Sequence, residues 1–151
     1  MTRARGRRGR SLACLVCVTV LVGACAPPGR SSPEVVDDAV TEAIAAAATA
    51  RLAMELFSSG DLPRETTRTT LAASLEDAHQ AALDLGTLEV PGPQDSRTRD
   101  EALRAVADAT SAIVTSRSAV SSTSDRTVDE STAALAEAIE QLDRVQDEVA
   151  P

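Results

Sequence analysis

Four stretches of this 151-residue chain place apolar side chains in alternating steps of four and three, and Ala fills many of those positions. That spacing returns each apolar residue to the same face of a 3.6-residue helix, so it dictates amphipathic helices and leaves little room for strands. The first stretch follows Ser32, read as a cap with Pro33 at the first helical position, and runs to about Ser58 before Gly60. Its stripe is Val36, Val40, Ala43, Ala47, Ala50, Met54 and Phe57. The second opens near Pro63 and carries Leu71, Leu75, Ala78, Ala82 and Leu85, with Gly86 as the expected C-terminal stop. The third is expected over about Arg97–Ser121, capped by Ser96, with Ala102, Val106, Ala109, Ile113, Ser116 and Val120 inward. The fourth is expected to open on a capping box of Thr127 and Glu130, with Val128, Ser131, Leu135, Ala138, Leu142, Val145 and Val149 as its stripe.

Each stretch holds about 22 to 27 residues, or roughly 33–40 Å of helix. Matched lengths, short turns at Gly60-Asp61 and at Ser124–Arg126, and one apolar face per helix predict an all-α fold, an antiparallel four-helix bundle over residues 33–151. An Ala-lined interior lets helices approach closely but buries little area. From Cys25 onward, Leu, Ile, Val and Phe supply 25 of 127 residues, a composition at the edge of what high net charge allows to fold. The expectation is a bundle of modest stability, with self-association as an alternative way of completing it.

The net charge of −8 conceals two unlike segments. Residues 1–24 contain Arg3, Arg5, Arg7, Arg8 and Arg10 and no acid, so the remainder carries 10 Arg against 23 acids, or −13. The basic start is followed by an apolar run from Ser11 to Ala24, which is too short to span a bilayer and has the layout of an export signal. Gly9 and Arg10 follow the twin arginines Arg7-Arg8 where a twin-arginine signal has apolar residues, so the general export route is favoured. The run ends in Leu21-Val22-Gly23-Ala24-Cys25. This resembles the lipobox of bacterial lipoproteins, and the resemblance covers only about the first 25 residues. It implies cleavage after Ala24, with Val22, Gly23 and Ala24 as the recognition residues and Cys25 as the lipidated first residue of the mature chain. It also implies a palmitate-type anchor in the bilayer at the extracytoplasmic face of the cell membrane. Two or more acyl chains are what make such an anchor stable. Residues 25–32 would then be the lipidated Cys and its tether, with a reach beyond Cys25 of roughly 25 Å. Cys14 and Cys17 form a C-x-x-C inside the signal and would leave with it, so the mature domain has no disulfide.

The composition narrows the chemistry. All 15 basic residues are Arg, Phe57 is the one aromatic, and the chain is acidic, which argues against nucleic acid as a partner. His79 is the single His, expected on the flank of the second helix. Glu76 and His79 match the Glu-x-x-His spacing of di-iron bundles, but such sites need a second pair, and this chain has no second His. Met54 and His79 would lie at different levels of adjacent helices, too far apart to share a haem. The fourth helix carries seven acids against Arg144 and is read as a solvated face, not a calcium site. No cofactor, metal or catalytic constellation is expected.

The segment Thr87–Ser96 reads as a ten-residue connection, longer than usual for a bundle. Its Leu88 and Val90 could cap the core or form a contact loop for a partner. The function expected from these observations is a non-enzymatic, membrane-anchored binding or accessory scaffold module for a protein partner. The alternative is a carrier of a small lipidic ligand in the Ala-lined core.

Overall fold

The computed structural model describes residues 31–122 and 124–149; the signal segment, Cys25 and the tether to Arg30 lie outside them. The described residues form four helices: α1 (Ser32–Ser58), α2 (Arg64–Thr87), α3 (Pro93–Ser121) and α4 (Asp125–Val149). They span 24 to 29 residues each, roughly 36–44 Å. Each packs on its chain neighbours, and α4 closes the ring on α1, giving an up-down-up-down bundle.

The inward stripes are those the spacing dictates. Val36, Val40, Ala43, Ala47, Ala50 and Met54 of α1 are buried, as are all six of the expected α3 positions. Leu71, Ala78 and Leu85 of α2 and Val128, Ser131, Leu135, Ala138 and Leu142 of α4 complete the interior. Phe57, Leu75, Ala82, Val145 and Val149 are only partly buried, packing at the edges of this core. Residue size sets the cross-section of the bundle. The diagonal pair α1 and α3 approaches within 8 Å between Cα atoms, while the other diagonal, α2 and α4, does not. The buried surface of α1 is mostly Ala, and α3 adds Ala102, Ala105, Ala109, Ala112 and Ala119. Small residues let these two backbones close in. Leu71 and Leu85 from one side, and Leu135 and Leu142 from the other, fill the space left at the flanks.

The helix ends correct several expectations by a few residues. α1 is capped by Ser31, not Ser32, because Glu34 stands three residues later and accepts the Ser31 backbone N–H at 2.9 Å. It ends in a Schellman turn: Gly60, at φ 83°, donates to the Phe57 carbonyl, and Asp61 donates to Leu56. Gly86 does not stop α2. The helix passes through it to Thr87, whose hydroxyl donates to Leu83 O at 2.9 Å. The ten-residue connection is correspondingly too long. α3 begins at Pro93 behind Gly92, and Ser96 lies inside its first turn with its hydroxyl bonded to Gly92 O. Only Leu88–Gly92 joins the two helices. α4 begins at Asp125, two residues before the expected box. Thr127 is already helical, and Glu130 pairs with Arg126 at 2.9 Å instead of returning to the Thr127 backbone.

Candidate functional site

Cys25 and the recognition residues Val22, Gly23 and Ala24 lie outside the described residues. The helix that follows them begins at Ser32, so chain polarity sets which end of the bundle would face an anchor. That end holds the start of α1, the Leu88–Gly92 connection, the start of α3 and the end of α4. At this end, Gln146 of α4 donates to the Thr41 hydroxyl of α1 at 2.8 Å, tying the two terminal helices together.

The Leu88–Gly92 connection belongs to the same end. Leu88 is half-buried against the core, and its carbonyl accepts a 3.4 Å hydrogen bond from the Arg99 guanidinium. Arg99 is also paired with Asp100 at 2.9 Å. Val90 is half-buried just before Pro91. His79 and Glu76 are both exposed on α2, whereas Met54 is fully buried in α1. Among the described residues, no three His, Cys, Asp or Glu side chains come together where they could hold a metal ion.

The surface has two features of its own. The first is a second apolar row on α1, opposite the buried one. Between Ala43 and Met54 the only charge is Arg51, so the helix is apolar nearly all round. Ala45, Ala48, Leu52 and Leu56 face outward, with Leu52 55% and Leu56 36% exposed. The spacing of four and three predicts a single stripe on α1; the second row shows in the sequence only as the missing charges between Ala43 and Met54.

The second feature is a set of shallow grooves along the helix seams. One of about 630 Å³ between α1 and α4 is lined by Arg51, Glu55, Ser58, Ser59, Asp129, Thr132, Ala133 and Ala136. Arg51 and Glu55 form an ion pair of 3.1 Å along its wall. Grooves between α3 and α4 are lined by Glu101, Asp108 and Glu148 with Arg104 and Arg144, and by Asp108 and Glu137. A groove of about 410 Å³ between α2 and α3 is lined by Arg68, Val114, Arg117, Ser118 and Ser121 and contains no carboxylate. None of these grooves is lined by Val40, Met54, Leu71, Ile113, Leu135 or Leu142, the large central residues. They are recesses of the surface, floored in places by Val36, Ala105, Ala112 and Ala138 at the edge of the core. No protein-family model, curated protein or solved structure matches the chain.

Proposed function

We propose that this protein is a membrane-anchored, non-enzymatic helical module that serves as a binding or accessory scaffold for a protein partner at the extracytoplasmic face of the cell membrane. The anchor in this reading is acylated Cys25, and the signal before it is removed after Ala24. The observation that carries the partner is the outward row of α1. A helix whose inner face is already filled with Ala and Val, and whose outer face still shows Leu52 and Leu56, has apolar surface to spare. Covering it gains hydrophobic free energy without disturbing the bundle.

One experiment in the native membrane tests both halves of the reading. In wild-type chain, lipid label is incorporated and a photo-crosslinker beside Leu52 gives discrete adducts. Cys25→Ser is expected to abolish the label and release the chain or leave its precursor uncut. Leu52→Glu with Leu56→Glu is expected to keep both the label and the helical circular dichroism while the adducts vanish. Lipid labelling that survives Cys25→Ser removes the anchor. Adducts unchanged by the double substitution remove the α1 face.

A further inference from the structure

The α2–α3 groove departs from the rest of a strongly acidic molecule. From Cys25 onward the chain carries −13, yet residues 109–124 contain no acid at all, only Arg117 among small, hydroxyl and aliphatic residues. Across the seam, the first turns of α2 bring Arg64 and Arg68 against Glu65 alone. The antiparallel pairing of α2 and α3 sets the start of one against the end of the other, so Arg68 and Arg117 line one recess although they are remote in sequence. Four other arginines of the bundle are occupied, Arg51 by Glu55, Arg126 by Glu130, Arg99 by Asp100, and Arg64 over the Phe57 ring at 5.9 Å, while Arg104 and Arg144 share a groove with Glu101, Asp108 and Glu148. Arg68 and Arg117 make no ion pair among the described residues, and neither has an acid lining its groove. Positions three and four residues from Arg117 are Ile113, Val114, Val120 and Ser121, so its own helix offers no counter-charge.

We infer that this groove binds a carboxylate-bearing segment of a protein partner, with Arg68 and Arg117 taking the acids and Val114 an adjoining apolar side chain. Three features select that ligand. Guanidinium groups match carboxylates in planar, two-pronged hydrogen bonds, and an unpaired one gains most from a new partner. Val114, 47% exposed in the same recess as the two arginines, supplies an apolar contact that a bare inorganic anion would not use. The residues that line the groove, Arg68 in the second turn of α2 and Val114–Ser121 at the end of α3, hold their own backbone N–H groups in helical bonds and so offer no cradle of free N–H donors of the kind that builds phosphate sites. The Ser118 and Ser121 hydroxyls are likewise bonded back to Val114 O and Arg117 O. The recess lies at the end of the bundle away from Ser31. With an anchor at Cys25 it would point away from the bilayer, toward a partner arriving from outside. This last point rests on the anchor proposed above; the carboxylate site does not.

The test uses the full chain purified in detergent and a labelled peptide of alternating Glu and Leu, read by fluorescence anisotropy. A molecule this acidic repels such a peptide elsewhere on its surface, so saturable binding reports the groove. Binding is expected at 20 mM salt, to weaken at 0.3 M, and to fall about tenfold or more in Arg68→Glu/Arg117→Glu. Arg68→Gln/Arg117→Gln, which adds no repulsion, is expected to fall in the same direction, and Val114→Ser to weaken binding with the salt response intact. Arg51→Gln, in the α1–α4 groove, should leave it unchanged. Circular dichroism checks that each variant keeps its helices. No saturable binding, or binding that survives both double substitutions, overturns the inference. So does displacement by inorganic phosphate at the concentration where acetate fails, which would make the recess a phosphate site. Since the measurement needs no membrane and no lipid label, its failure is separable from failure of the anchor.

Discussion

At the scale of single residues, the bundle's polar interior is sorted by whether a hydroxyl finds a carbonyl. Among the described residues four hydroxyl side chains are buried: Thr67, Ser74, Ser116 and Ser131. Thr67 donates to Pro63 O at 3.1 Å, Ser116 to Ala112 O at 2.9 Å, and Ser131 to the carbonyl of Thr127 or Val128 within its own helix. Ser74, 1% exposed, has no hydrogen-bond partner. A buried hydroxyl without a partner gives up its hydration for nothing in return, at a cost of about 1–3 kcal/mol. Ala has the higher helix propensity and almost the same volume. Ser74→Ala is therefore expected to stabilise the bundle by about 1 kcal/mol, whereas Ser116→Ala is expected to gain less or to lose. Urea unfolding of the two variants side by side checks the order. A destabilised Ser74→Ala would mean that its hydroxyl is in fact bonded.

At the scale of elements, two glycines of similar sequence setting have opposite roles, and substitution tells them apart by sign. Gly60 closes α1 with φ 83°, a conformation that costs residues with a Cβ roughly 1 kcal/mol or more. Gly86 sits inside the last turn of α2, and a Cβ added there meets nothing within 4 Å. Gly60→Ala is expected to destabilise by about 1 kcal/mol, and Gly86→Ala to stabilise by about 0.5–1 kcal/mol, as replacing an exposed helical Gly does. Thermal unfolding of both variants reads the two signs; a destabilised Gly86→Ala would restore it as the stop that the sequence suggests. This pair also shows what was legible in the chain. The apolar stripes were, because burial enforces a period that local chemistry cannot counterfeit. Helix ends were less so, since Ser31 and Ser32 compete for one cap, and Ser96 has the residue type of a cap while Gly92-Pro93 begins the helix four residues earlier. The α2–α3 recess was not legible at all. Arg68 and Arg117 become neighbours only through antiparallel pairing, and nothing local to either residue announces the other.

At the scale of the whole molecule, charge is distributed by end. The half that contains Ser31, formed by residues 31–45, 76–107 and 138–149, holds 15 acids and 4 Arg. The opposite half, residues 46–75 and 108–137, holds 8 acids and 5 Arg. The bundle thus presents a strongly negative end next to the proposed anchor and a much less acidic end beyond it. Folding gathers those 15 acids, from four helices and the Leu88–Gly92 connection, around one short cylinder, while the unfolded chain spreads them out, so their repulsion opposes folding. Screening decides how much. Near 10 mM salt the Debye length is about 30 Å, enough for every acid of that half to sense the rest; at 0.15 M it is about 8 Å, and only neighbours interact. Among the described residues the ion pairs Arg51–Glu55, Arg99–Asp100 and Arg126–Glu130 act against this repulsion, and partly or well exposed pairs of this kind contribute little. Repulsion should win. The unfolding midpoint, followed by circular dichroism, is expected to rise by several degrees from 10 mM to 0.15 M NaCl. The rise should shrink in a Glu42→Gln/Glu101→Gln/Glu140→Gln variant, which removes charge from three helices of the crowded half and is itself more stable at low salt. A midpoint that falls with salt would show that surface ion pairs outweigh the crowding. A rise of equal size in the triple variant would show that salt acts on the bundle by some route other than this end's charge.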